Sequence, residues 1–114
     1  MKIIIPIIPK SLNHLIILHW SKRYRYGKAL EKLVWGYCLE AKQKQPIQKK
    51  FTKVDITFYF PDNRRRDKDN YIGGFKKGQD ALVLAGLIKD DNYKEVDISY
   101  HIKKGERRTE IILT

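Results

Sequence analysis

The spacing of apolar residues changes near the middle of the chain, and that change sets the order of its elements. From about Ser21 to Lys44, the residues Leu30, Leu33, Val34, Tyr37, Cys38 and Ala41 recur at steps of three and four. Such steps put them on one face of a helix, with Lys28, Lys32, Glu40 and Lys42 on the other. Gln45-Pro46 ends the helix, because the residue before a proline is pushed out of the helical region. From Lys53 to Phe60 the step drops to two. Val54, Ile56, Phe58 and Phe60 alternate with Asp55, Thr57 and Tyr59, as in a strand buried on one side.

The flanking segments complete the layout. Lys2 to Ile8 is β-branched and apolar, a strand that Pro6 restricts to a sheet edge or a short run and that Pro9 ends. Ser11-Leu12-Asn13 carries turn or capping chemistry, and the run Leu15 to Leu18 fits either periodicity. A second helix is expected from Asn70 or Tyr71 to Ala85, with Phe75, Leu82 and Ala85 facing inward. Gly73-Gly74 weakens its first turns, so its regular part starts near Lys76, and Gly86 terminates it. Val96, Ile98, Tyr100 and Ile102 then alternate, Lys103 to Glu106 reads as a turn, and Thr109 to Leu113 closes a β-hairpin. The expectation is an α+β fold: a small mixed four-stranded sheet with two main helices packed on one face, a single domain spanning residues 1–114.

Charge narrows the partners. The chain has 24 Lys+Arg against 13 Asp+Glu, a net charge of +11, and such a field attracts polyanions, nucleic acid above all. Its one cysteine, Cys38, excludes an internal disulfide and a thiolate zinc site, which fits a reducing cytoplasm. The N-terminal apolar run is too short and too proline-broken for a signal peptide. No window approaches the length of a membrane span. The expected protein is soluble and cytoplasmic, with no membrane partner and no small-molecule cofactor.

Against that basic background, the segment DNRRRDKDNYIGGFKKGQDALVLAGLIKDD, from Asp62 to Asp91, is bracketed by carboxylates. Asp67 and Asp69 lie two apart, so an extended backbone turns both to one side; Asp90 and Asp91 stand at the far end. Carboxylates gathered despite their repulsion suit a divalent cation, because magnesium takes oxygen ligands and is held by one or two carboxylates together with substrate phosphate. Arg64, Arg65 and Arg66 suit bidentate phosphate contacts. Lys76 is placed to stabilise charge developing on a phosphodiester. A helix of about 15 residues is roughly 22 Å long, so the two acidic ends meet only if the helix is shorter, if the chain runs back after Gly86, or if they meet across a dimer.

Several residues have simpler readings beside these. Asp62 is a turn residue after Pro61, Asp80 pairs with Lys76 or Lys77 at helical spacing, Asn70 caps the helix, and one of Asp90 and Asp91 is a solvated turn residue. His14, His19 and His101 have no zinc-site spacing. His19, beside Trp20, reads as packing or substrate contact. Tyr24 and Tyr26, interleaved with Lys22, Arg23 and Arg25, suit stacking on unpaired bases and capping of the core equally well.

The motifs NRRRDKDN and QDALVLAGLIKDD resemble the RusA family of Holliday junction resolvases, densely from Pro61 to Val96, and Ser11 to Asn13 and His19 to Arg25 are similar to N-terminal motifs of RusA-like phage proteins. The resemblance implies a homodimeric, magnesium-dependent endodeoxyribonuclease, with manganese as a possible substitute metal, that nicks opposing strands of a four-way DNA junction in recombination and repair. It implies Asp67, Asp69 and Asp91 as metal-binding catalytic carboxylates and Lys76, four residues before Asp80, as the catalytic lysine. The segment YIGGFKKGQ is longer than is usual in the family, which leaves Lys77 as the alternative lysine. Arg64, Arg65, Arg66, Lys22, Arg23, Arg25 and Lys77, with the stretch from Lys103 to Arg108, would track phosphates. The competing reading is a non-catalytic basic nucleic-acid-binding protein.

Overall fold

The computed structural model describes residues 1–92 and 94–114. In chain order the described residues form β1 (Lys2–Ile5), α1 (Leu12–Ile16), α2 (Trp20–Lys44), β2 (Lys53–Phe60), α3 (Lys68–Gly74), α4 (Lys76–Leu84), β3 (Asp97–Lys104) and β4 (Arg108–Leu113). The four strands make one mixed sheet in the order β1-β4-β2-β3, and the expected α+β architecture holds. Strand β1 stops at Ile5 rather than Ile8, because Pro6 has no N–H to donate to the ladder.

The expected hairpin is not formed. Strand β2 lies between β3 and β4, parallel to β3 from Lys53↔Asp97 to Phe60↔Lys104 and antiparallel to β4 from Val54↔Leu113 to Tyr59↔Arg108. The connection from β3 to β4 arches over the end of β2, where the Gly105 N–H donates to the Phe60 carbonyl at 2.9 Å. Alternation along a strand says which face is buried and leaves the neighbour open. Strand β2 lies inside the sheet, where both its edges are paired.

One face of the sheet carries the core. Val54, Ile56, Phe58 and Phe60 of β2 are buried with Ile111 and Leu113 of β4 and Ile3 and Ile5 of β1. Leu30, Val34 and Cys38 of α2 bury against them at four-residue steps, whereas Leu33, expected on the same face, is exposed. The opposite face carries polar side chains together with the exposed Ile4 and Ile112. There Glu110 is buried beside Arg108 at 3.1 Å and Lys2 at 3.6 Å. Burial alone would raise its pKa, but the Arg108 hydrogen bond and the two positive charges bring it below the usual carboxylate range.

The helix expected from Asn70 or Tyr71 to Ala85 is two helices. Phe75 ends α3 and starts α4, and its ring is buried edge-on against Phe58, centroids 5.6 Å apart at 71°. Phe58 also stacks on Tyr100 at 5.8 Å, and Tyr71 packs edge-on against Phe60 at 5.1 Å. A Cβ at Gly78 would run into the Phe75 ring, so the glycine is what lets the ring fold back over the first turn of α4. At the other end Gly86 takes φ 75°, and the Leu87 N–H reaches back to the Leu82 carbonyl at 3.1 Å, the bond of a Schellman turn. Replacing Phe75 by Ala should therefore cost about 3–5 kcal/mol, read as a lower urea midpoint with an unchanged m-value.

Candidate nucleic-acid interface

The loop after β2 is shaped by one carboxylate. Asp62 Oδ1 accepts from the Arg64 backbone N–H at 2.9 Å and from the Arg66 guanidinium at 2.9 Å. The Arg66 hydrogen bond and then the Arg64 N–H hold the Asp62 carboxyl below its ordinary pKa. Arg66 also lies over the Phe60 ring, 3.8 Å from its centroid. The arginine triplet thus divides. Arg66 anchors the loop, while Arg64 and Arg65 are exposed.

Those two arginines line a polar cleft of about 480 Å³, together with Lys10, His14, Asp67 and Arg107. Segments far apart in sequence supply these charges: the chain after β1, α1, the loop after β2 and the β3–β4 connection. Arg107 falls in the basic stretch flagged from sequence. Lys10 and His14 do not stand out there, since a lone lysine after a proline and a histidine in a short apolar run carry no pattern.

Asp67 and Asp69 are not on an extended strand. Asp67 is the N-cap of α3, its Oδ1 accepting from the Asp69 N–H at 3.0 Å, and Asp69 lies in the helix's first turn. The capping role expected of Asn70 belongs to Asp67, which has the carboxylate and the extended backbone that an N-cap needs. Both carboxylates are solvent-exposed.

At the other end, the chain does run back. The break at Phe75 leaves α4 only nine residues long, about 13 Å, and the turn at Gly86 reverses the chain. Asp91 then hydrogen-bonds the Lys76 ammonium, which also lies 3.4 Å from Asp80. Lys77 stands 3.8 Å from Asp80 and 3.9 Å from Glu31, so both lysines share Asp80. The Lys76 bond lowers the Asp91 pKa, and the Asp91 bond raises that of Lys76. Asp90 is the turn residue, accepting from the Asp91 N–H at 2.7 Å and from Asn92 Nδ2 at 3.0 Å. Above this cluster, Tyr100 donates to Gln79 Oε1, and burial raises its pKa, with the Asp91 charge adding to the effect.

The structure therefore joins Lys76 to Asp91 and Asp80, and Asp67 to the arginine cleft, without joining Asp91 to Asp67 and Asp69. Among the described residues no group of three or more His, Cys, Asp or Glu side chains is placed to hold a metal ion. Lys22, Arg23 and Arg25 are exposed in the first turns of α2. His19 caps that helix, its Nδ1 accepting from the Ser21 N–H at 3.2 Å, a role not foreseen from its neighbours. Tyr26 is half-buried and its hydroxyl accepts the Lys10 N–H at 2.7 Å, whereas Tyr24 is exposed. Among the described residues no helix is long and apolar enough to cross a membrane. No protein-family model matches the chain, and no curated protein matches it in sequence.

The Lys76–Asp91 pair has a definite pH window. Asp91, with its pKa lowered, contributes stability above the ordinary carboxylate value near 3.9 and loses it as pH falls through the lowered value. Lys76, with its pKa raised, contributes below about 10.4 and loses it as pH rises through the raised value. A double-mutant cycle of Lys76→Met and Asp91→Asn should give a coupling of about 0.2–1 kcal/mol at neutral pH, as for other solvent-facing pairs. Urea titrations should find it constant from about pH 5 to 10 and falling away on either side.

Proposed function

We propose that this protein is a magnesium-dependent, structure-selective endodeoxyribonuclease that resolves four-way DNA junctions, as its resemblance to the RusA family implies. The observation that carries the reading is the cleft that Arg64, Arg65, Lys10 and Arg107 line together with Asp67. Cations and a carboxylate lining one cleft suit a phosphodiester brought against an acidic group. Arginines supply paired, oriented N–H donors to phosphate oxygens, and the lysine adds a point charge.

Magnesium fits the donor chemistry in part. Asp67 and Asp69 offer exposed hard oxygens two residues apart, and one or two carboxylates with substrate phosphates are a common magnesium environment. Asp91, the third carboxylate that the resemblance implies, is paired with Lys76 and is not brought to the other two. The metal would polarise a phosphoryl oxygen and activate a water; manganese would substitute. Arg64, Arg65 and Arg107 would hold the phosphate, and Lys76, freed from Asp91, would offset the charge developing on it. A junction has two equivalent strands to cut, which suits two sites in a homodimer. We assign the protein to the cytoplasm, where the buried Cys38 stays a thiol.

The alternative is a non-catalytic nucleic-acid-binding protein, favoured by the pairing of Asp91 with Lys76 in place of Asp67 and Asp69. Labelled four-way and linear DNA incubated with magnesium or with EDTA separates the two, since only the nuclease yields metal-dependent product. Asp67→Asn is the sharper test, because asparagine caps a helix as well as aspartate. The variant should fold and bind junctions normally yet lose cleavage, and wild-type cleavage would refute the site assignment. Arg107→Ala should weaken binding to all sequences and reduce the slope of log K against log salt by about 1.

A further inference from the structure

Beside Lys76, the first turns of α2 and the α3–α4 junction line an apolar groove of about 360 Å³. Trp20 and Tyr24 stand four residues apart on α2, one helical turn, and both line it. They are 67% and 61% exposed, a large area of bare aromatic surface for a chain this size. Leu15 and Leu30 are buried behind it, and Arg23, Lys76 and Lys77 are part of its wall.

We propose that this groove receives a base unstacked from DNA, with Trp20 and Tyr24 stacking on the base and Arg23 and Lys76 holding the phosphates beside it. The inference rests on the endonuclease reading and adds to it a part of the substrate, an unpaired nucleotide. Charge selects this occupant. An apolar protein surface or a lipid tail has no use for cations at the rim, whereas a nucleotide has a flat apolar ring and a phosphate within a few ångströms of one another. Aromatic side chains within a basic groove are how proteins hold single strands without reading their sequence. The two tyrosines separate on the same ground. Tyr26 is tied to the Lys10 backbone, and Tyr24 has an open face with Lys28 Nζ 5.8 Å from its ring centroid on one side. Lys76 belongs to the groove wall and to the Asp91 pair at once, so a phosphate arriving with the base competes with Asp91 for its ammonium.

The test uses Trp35→Phe protein, which leaves Trp20 as the one tryptophan of the two in the chain. Its fluorescence is followed while two DNAs of equal length are added, one fully paired and one with a single unpaired base. The expected result is quenching at saturation by the second DNA and little by the first. Trp20→Ala with Tyr24→Ala should lower affinity for the unpaired-base DNA about 10-fold and leave the paired duplex unchanged, and Trp20→Phe with Tyr24→Phe should restore it. Equal losses on both DNAs, or no quenching, would overturn the proposal. So would a wild-type dimer that the double alanine variant turns into a monomer in sedimentation, which would make the groove a face between copies. If the protein binds and cleaves four-way junctions without quenching by the unpaired-base DNA, only the base groove is lost; if it binds no four-way junction either, the endonuclease reading falls with it.

Discussion

The contact of Phe75 with Phe58 is the one on which the rest of the site depends. Phe58 sits on β2, inside the sheet, and Phe75 interrupts what would otherwise be one helix. Burying an aromatic ring at that point obliges the chain to bend there, because the ring occupies space that a continuous helix axis would need. The bend sets where α4 begins and therefore where the Lys76 ammonium emerges. It also shortens α4, so the returning chain meets Lys76 with Asp91. A core contact thus determines a surface ion pair.

Charge is distributed with similar economy. A chain with a net charge of +11 cannot use every cation for a ligand, since some must offset the acids that shape its loops. Arg66 is given to Asp62 and Phe60, Arg108 to Glu110 and the Tyr59 ring, and Lys77 to Asp80 and Glu31. Arg64, Arg65 and Arg107 carry no such commitment among the described residues and line one cleft. What distinguishes the two sets is geometry: the committed cations lie over an aromatic ring or within helical reach of an acid.

The sequence was a good guide to elements and a poor one to neighbours. The long helix and β2 were legible nearly to the residue because each carries its period over many positions, whereas β1 was legible as a strand but not in its end, which Pro6 sets and the apolar run to Ile8 concealed. The break at Phe75 was only half visible. Two glycines signalled a weak start, but nothing local shows that a phenylalanine will leave the helix for a core that residues far away must build. Strand order was hidden for the same reason, as β3 and β4 alternate in the same way whether paired or separated. At the site, the local members of the acidic segment were readable, and Asp62 and Asp80 do what their spacing suggested. Lys10 and His14 joined the cleft by tertiary folding alone. The capping role of Asp67 was missed because a DxD pair reads alike as a strand end and as a helix start.

The placement of β4 has a consequence for how the molecule is made. β1 is attached to the sheet through β4, pairing Lys2 with Ile112 and Ile5 with Thr109, and β4 in turn needs β2. Strand β1 therefore has no partner in this sheet until β4 has been made. During translation its isoleucines must wait unpaired while more than a hundred residues emerge, and closing so long a loop is slow. The short length of β1 and the proline behind it then acquire a second meaning: they keep a waiting apolar strand from recruiting the wrong neighbour.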